Sequence, residues 1–410
     1  MPKTIKFWLM PNADYETKKL IDRELAHFHR KNPDIQVETR VIPWMHAWSN
    51  IMQACKDKSG VDILMLGTTW VQTLAYLGSI RKIDDLGEAD GNFSKEYIRM
   101  CTYDKKLWAV PWFCEANVLF YRKDHLEKIG VSPYEIETWD GFAAACGKLR
   151  KLSGKAHTAF PLGFTIQPDQ TFAQVLSCFI WSHGGDFISR DGKHPLLAST
   201  DVYRGLKKLL KFITGEYIDP ASLHISTGEV IGDFFCHNAY TFIISSPWPI
   251  RVYLNPSSPA FIGNKQNENF GLMNLPGGPS GRFNFTGGST LAVTSFSQHQ
   301  RDSVKVVEFL SSAESQERYC RAIDAIPART DAAINLPLLR GKEAIFKEAV
   351  AVYGRSFPTH LLWGSIERIV ISGMSFAFGE FVKNRNEAAF KKNLRELDKE
   401  ISRIFRIFGE

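Results

Sequence analysis

The sequence predicts an α/β fold that begins with an open, mainly parallel sheet. Three observations carry this. Short runs with strand-like patterning recur at 4–10, 35–41 and 61–66. Stretches with helical spacing of apolar residues separate them. The third run, "VDILML", is almost wholly apolar, as expected of a strand covered on both faces. A β-α-β-α-β-α order of this kind builds an open sheet with helices against it.

Each element follows from its residues. "TIKFWLM" (4–10) alternates Ile5, Phe7 and Leu9, and the polar turn "PNAD" (11–14) ends it. Ile21, Leu25 and Phe28 mark a helix face that stops at Asn32–Pro33. "IQVETRV" (35–41) alternates again through Ile35, Val37, Thr39 and Val41. A helix-like stretch runs from Met45 towards Lys58, and "WVQTLAYLGSI" reads as helix up to Gly78. After 108–126 the pattern leans to helix, at 140–152, 171–183, 201–214, 229–236 and 302–320. A short strand at 240–246 interrupts these helices. The Pro-, Gly-, Ser- and Asn-rich region 255–290 reads as loop and chain crossing. "STLAVTS" (289–295) is apolar enough to rejoin the first sheet. In the tail, Phe390, Leu394, Leu397, Ile401, Ile404 and Phe408 share one helical face.

Composition narrows the class. At ~150 residues per domain, 410 residues predict two or three domains. Charged residues are 23% and the net charge is +6, with no block of five like charges. That is a globular composition with no case for nucleic acid. No apolar run reaches the ~18–20 residues of a membrane span. The start has no long apolar leader core, so the chain is expected to be cytosolic or to have lost a leader. Seven cysteines, none in CxxC, read as mostly buried free thiols.

Motifs for chemistry are missing. There is no phosphate-binding glycine loop, no G-x-S-x-G elbow and no H-E-x-x-H. His27 and His29 lie two apart and do not share a helical face, so no metal site and no cofactor is expected. Asp84–Asp85, Asp169 and Asp186 are available as paired carboxylates for a glycosidase, although Asp84–Asp85 reads as a solvated turn.

Aromatic residues recur instead at strand junctions. Trp44 follows the second strand, Trp70 the third, and Trp248 the strand at 240–246. Trp112 precedes an apolar run, Trp181 stands before "SHGGDF", and Trp363 opens a late helix. Ligands of open α/β sheets bind outside the carboxyl ends of the strands. Rings beside Asp, Asn, Thr and Glu suit a sugar, whose C–H face lies on the ring while its hydroxyls meet polar groups. Core packing is the competing reading for any one tryptophan.

Several segments also carry a resemblance. "GVDILMLGTTWVQTLAYLGSIRKIDDL", "AVPWFCEANVLFYRKDHLEKIGV" with "TWDGFAAACGKL", "WSHGGDFISRDGK" and "LPGGPSG…GGSTLAV…IPAR" occur in order along the chain. Together they resemble the extracellular solute-binding proteins of ATP-driven sugar importers, the maltose-binding-protein-like group. Val61, Arg122 and Gly141 depart from that group's usual Pro, Asn and Glu. The resemblance implies a two-lobed type II periplasmic-binding-protein fold, each lobe an open mainly parallel sheet flanked by helices, closing on ligand between them. Lobe 1 would be 1–113 plus 287–326, and lobe 2 would be 114–286 plus 327–410. Residues 111–117 would be a hinge strand, with Trp112 and Glu115 at the floor of the cleft.

Carried over residue by residue, the implied ligand-binding set begins with Asn12, Asp14, Trp44, Thr68, Thr69 and Trp70. Glu115, Asp169, Gln170, Trp248, Gly287, Gly288, Arg329 and Trp363 follow, and the aromatic pattern adds Trp112 and Trp181. The implied role is non-catalytic capture of a carbohydrate, a di- or oligosaccharide, for delivery to membrane permease subunits by a monomer outside the inner membrane. A polyamine or a glycerol-phosphate ester is the alternative ligand. A glycoside-active enzyme is the reading from another class.

Overall fold

The computed structural model describes residues 3–12, 16–83, 92–93, 95–153, 160–254, 256, 258, 260–261, 269–332 and 344–408. The chain forms two compact units. The first holds Met1–Glu115, Gly287–Ala344 and Thr359–Gly364, and the second Ala116–Thr286, Ile345–Pro358 and Ser365–Glu410.

The chain enters the first unit through β1 (Lys3–Leu9), α1 (Thr17–Lys31), β2 (Ile35–Val41), α2 (Trp44–Asp57), β3 (Ile63–Gly67) and α3 (Val71–Tyr76). Short elements follow: α4 (Lys95–Met100), β4 (Thr102–Tyr103) and β5 (Lys106–Leu107), then the longer β6 (Val110–Ala116). In β1 the alternation decides burial, with Ile5, Phe7 and Leu9 inside and the lysines outside. Leu20, Ile21, Leu25 and Phe28 bury one face of α1, and His29, Arg30 and Lys31 complement its carboxyl-terminal dipole. α2 begins directly after Pro43 and ends at Lys58, which takes a left-handed conformation (φ 48°).

The second unit continues with β7 (Val118–Arg122), α5 (Lys123–Lys128), α6 (Trp139–Ser153), α7 (Gln170–Ser182) and α8 (Thr200–Thr214). Then come α9 (Thr227–Gly232), β8 (Phe242–Ser245), α10 (Trp248–Leu254) and β9 (Phe270–Met273). β10 (Asn284–Val293) crosses to the first unit, which also takes α11 (Gln300–Ser311), α12 (Ala313–Ile323) and β11 (Ile326–Pro327). The chain finishes with α13 (Ile345–Ala351), β12 (Gly354–Arg355), α14 (Trp363–Asn384) and α15 (Glu387–Phe408).

The main sheet has the order β11-β6-β10-β3-β1-β2, with β12 added to β10. β1 runs parallel to β2 in the register Lys3↔Ile35 to Leu9↔Val41, and parallel to β3 at Phe7↔Ile63. The carboxyl ends of these three strands therefore share one sheet edge. β10 rejoins this sheet as expected, but antiparallel to β3.

The second unit corrects the expectation of a mainly parallel sheet in each lobe. Its sheet, β8-β7-β9, is antiparallel throughout. β7 is fully buried along its length. A continuous apolar run signals cover on both faces, and strand direction is then set by long-range pairing that the run does not encode. The expected single helix at 302–320 is also two. Ser312 ends α11 and caps α12, its Oγ accepting from the Ser315 N–H at 3.3 Å.

Five of the seven cysteines are buried, and all seven are free thiols. Burial pushes the thiols of Cys114 and Cys178 up to about 12, so they are inert at neutral pH.

Candidate ligand-binding site

The carboxyl edge of β1, β2 and β3 gathers the clearest constellation. Asn12 follows β1, Trp44 follows β2, and Thr68, Thr69 and Trp70 follow β3. The Trp44 indole N–H donates to the Pro11 carbonyl at 2.9 Å, which ties the loops after β1 and β2 together. The ring of Trp70 lies 5.9 Å from that of Trp44 and 5.4 Å from that of Trp48. Trp48 was not among the expected residues. Its spacing, one helical turn beyond Trp44 on α2, places both rings on one face and was the available signal.

These rings differ in exposure. Trp44 is half-buried, while Trp70 and Trp48 are buried, with Trp70 against each of the other two rings. Behind Trp48 there is no spare room, since a Cβ on Gly364 would sit 2.5 Å from its ring. Thr68 is buried and Thr69 half-buried. Asn12 is buried, its amide nitrogen donating to the Tyr319 hydroxyl at 3.0 Å and its backbone N–H to Thr17 Oγ1 at 2.9 Å. One partly exposed ring against a buried aromatic pair, with the half-buried Thr69 on the same sheet edge, is suited to a ligand with both an apolar face and hydroxyls. Asp14 lies outside the described residues.

Comparison with known proteins gives the family and the fold. The family of bacterial extracellular solute-binding proteins matches residues 25–344. The chain belongs to that family. The galactooligosaccharide-binding protein of Bacillus subtilis is 22% identical over 342 residues, covering 81% of this chain and 75% of that protein. The arabinooligosaccharide-binding protein of the same organism is 33% identical over 209 residues, 48% of this chain and 45% of that one. Among solved structures, maltose-bound MalE3 of T. maritima superposes with a TM-score of 0.82 at 20% identity, covering 96% of this chain and 98% of that one. The fold is thus the type II periplasmic-binding-protein fold of maltose-binding-like proteins. Membership in this extracellular family also implies work outside the cytoplasm. No described helix is long and apolar enough to cross a membrane.

Several residues expected to line this solute-binding protein's site are used otherwise. Trp112 is fully enclosed in the core of the first unit and stacks on Tyr319 at 4.6 Å with 8° between the planes. Both faces of β6 are covered there, so alternation does not turn this ring outward. Trp363 is likewise fully buried. Arg329 is held by Asp331 through two hydrogen bonds of 2.7 and 2.9 Å and lies over the Phe93 ring. Gly287 accepts from the Tyr97 hydroxyl at 2.8 Å. At Gly288 an added Cβ would meet the Phe113 carbonyl at 2.2 Å, so this glycine serves the close approach of β6 and β10.

In the second unit, Asp169 caps α7. Its Oδ1 accepts from the Phe172 N–H at 2.8 Å and its Oδ2 from the Thr227 hydroxyl at 2.6 Å. Burial nevertheless raises this carboxyl above its ordinary value. Gln170 opens the same helix and is half-buried. Trp181 lies near its other end, roughly 18 Å along the axis at 1.5 Å per residue. It is buried under the guanidinium of Arg355, at 4.9 Å, and borders a cavity of about 420 Å³ with Asp186, Arg190 and Phe283. One small ligand does not reach both ends of α7. Trp248 starts α10 and is half-buried. No described cluster of His, Cys, Asp and Glu could hold a metal ion.

Glu115 is half-buried on β6, and desolvation raises its carboxyl to about 7. An unfolded chain ionises this group near its ordinary value of 4.5, while the native state keeps the proton up to about 7. Glu115 therefore makes stability fall as pH rises between those values. We expect Glu115→Gln to flatten that slope in denaturation midpoints measured from pH 4 to pH 8. An unchanged slope would assign it to other groups.

Proposed function

We propose that this protein is the non-catalytic binding component of an ABC importer that captures a di- or oligosaccharide and hands it to membrane permease subunits. The observation that carries this reading is the half-buried Trp44 ring set against the buried Trp70, which Trp48 backs in turn, at the carboxyl edge of β1–β3. A pyranose or furanose ring offers the matching C–H face, and Thr69 stands at the rim for its hydroxyls. The carbohydrate named for the Bacillus subtilis relatives supports the same class. Binding of this kind needs no covalent chemistry. The protein acts as a monomer in the periplasm or at the outer face of the membrane.

A thermal-shift screen tests this. Arabino-, galacto- and malto-oligosaccharides, polyamines and glycerol phosphates would be compared. A ligand at 100 times its Kd adds roughly 2.7 kcal/mol of stability. An oligosaccharide is expected to raise the melting temperature and to be recovered intact after incubation. A shift with a polyamine or a glycerol phosphate alone would overturn the carbohydrate reading. Hydrolysed sugar would overturn the non-catalytic one.

A further inference from the structure

Helices α8 and α15 of the second unit carry cations that the ligand site does not use. α8 holds Arg204, Lys207, Lys208 and Lys211 against Asp201. α15 holds Lys391, Lys392, Arg395, Lys399, Arg403 and Arg406 against Glu387, Glu396, Asp398 and Glu400. The two helices thus carry an excess of five positive charges, on a chain whose net charge is +6.

Three contacts set the helices antiparallel, side by side. Lys207 Nζ lies 3.2 Å from Glu387 Oε1. Lys391 Nζ sits 4.2 Å over the Tyr203 ring. The Asp398 carboxylate accepts from the N–H groups of Leu197 and Ala198, just ahead of α8.

Helical spacing then sorts the charges. Phe390, Leu394, Leu397 and Ile401 are buried and define the inner face of α15. At about 100° per residue, its six cations fall roughly 90–210° round from that face, towards α8 and outward. Glu396 and Glu400 fall beyond about 230°, on the side away from α8. On α8, Leu206, Leu209 and Ile213 face inward, while Arg204, Lys207 and Lys211 are exposed. The carboxylates on the shared side are already engaged, Glu387 with Lys207 and Asp398 with backbone N–H groups. The exposed pairs Arg204–Asp201 and Lys399–Glu396 are already subtracted in the excess of five, and Asp140 of α6, which pairs with Lys208, lowers it by one.

We propose that this face docks the protein on an anionic phospholipid bilayer. The cation stripe runs from Lys391 to Arg406 of α15, about 23 Å, longer than one small anion. It matches an extended, flat, negatively charged surface. Ile407 at its end is 70% exposed, but no row of apolar side chains accompanies it. The attraction is therefore electrostatic and superficial, without insertion. The proposal rests on the extracytoplasmic location and makes no use of the sugar assignment. Docking would hold the protein near the permease and confine its search to the membrane plane.

Co-sedimentation of the full chain with vesicles tests this. One set is phosphatidylcholine alone, and the other contains roughly one-third phosphatidylglycerol. Binding to the anionic set is expected at about 0.05 M salt, falling at least about tenfold near 0.5 M. Lys392→Glu, Arg395→Glu and Arg403→Glu together should lower it about 10- to 100-fold. The same number of reversals at exposed positions of the first unit, Arg23→Glu, Lys95→Glu and Arg301→Glu, should leave most of it. Both variants should keep the wild-type melting temperature and oligosaccharide titration. Equal binding to both vesicle sets, no binding to either, or equal loss in the two variants would overturn the proposal. Loss of the oligosaccharide response in wild type would instead strike the sugar reading alone.

Discussion

Replacing Trp112 with alanine is expected to lower the stability of the protein by about 3–5 kcal/mol. The ring is fully enclosed and has aromatic neighbours on several sides. It stacks on Tyr319 at 4.6 Å and meets Phe113 at 5.2 Å and Phe7 at 6.2 Å. Deleting it leaves a cavity bounded by β1, β6 and α12, elements that are held by the sheet and do not collapse into the space. The loss should extend to the ligand site, because the Tyr319 hydroxyl holds the Asn12 amide. Trp112→Phe keeps a flat ring against Tyr319 and should recover most of the loss. Urea unfolding followed by circular dichroism reads the effect. A change below about 1 kcal/mol would mean that the ring is not a core element and would return it to the ligand site.

Replacing Trp44 with alanine should do the reverse. Oligosaccharide affinity should fall about 10- to 100-fold, with a stability loss of only about 1 kcal/mol. The affinity loss follows from roughly 1.5–3 kcal/mol of apolar contact at about 1.4 kcal/mol per decade. The stability loss is small because the ring is half-buried and gives up one hydrogen bond, to the Pro11 carbonyl. Trp44→Phe should restore most of the affinity, since an aromatic ring remains against Trp70. Isothermal titration and a urea midpoint on the same samples separate the two effects. Wild-type affinity in Trp44→Ala would remove the stacking edge as the sugar site.

The contrast between these two tryptophans shows where sequence reading stops. Both stand at the end of a strand or beside one, and both look alike in a linear pattern. Trp44 sits after β2, at an edge where the chain turns over the sheet and the ring keeps an open side. Trp112 sits within β6, a strand with other strands on both sides, so nearly every position on it is buried. Asp169 is a related case. "DQTF" carries the signal for a helix cap, an aspartate three residues before the N–H it accepts from. Read as a cap, the aspartate would not have been expected in the ligand site. Trp48 was legible too, one turn after Trp44 on the same helix face.

By itself, the sequence determined the parallel start of the first sheet and the family. Both rest on local signals, the period of the apolar residues and motifs that keep their order along the chain. It also determined that Trp44 and Trp70 share an edge, because parallel strands send their carboxyl ends to one side. Only the tertiary structure decided the direction of β10 and of the three strands in the second unit. Only it decided which rings are enclosed and which remain open. A local pattern records how buried a residue wants to be. The partner that buries it comes from a distant part of the chain, and no short window of sequence contains both.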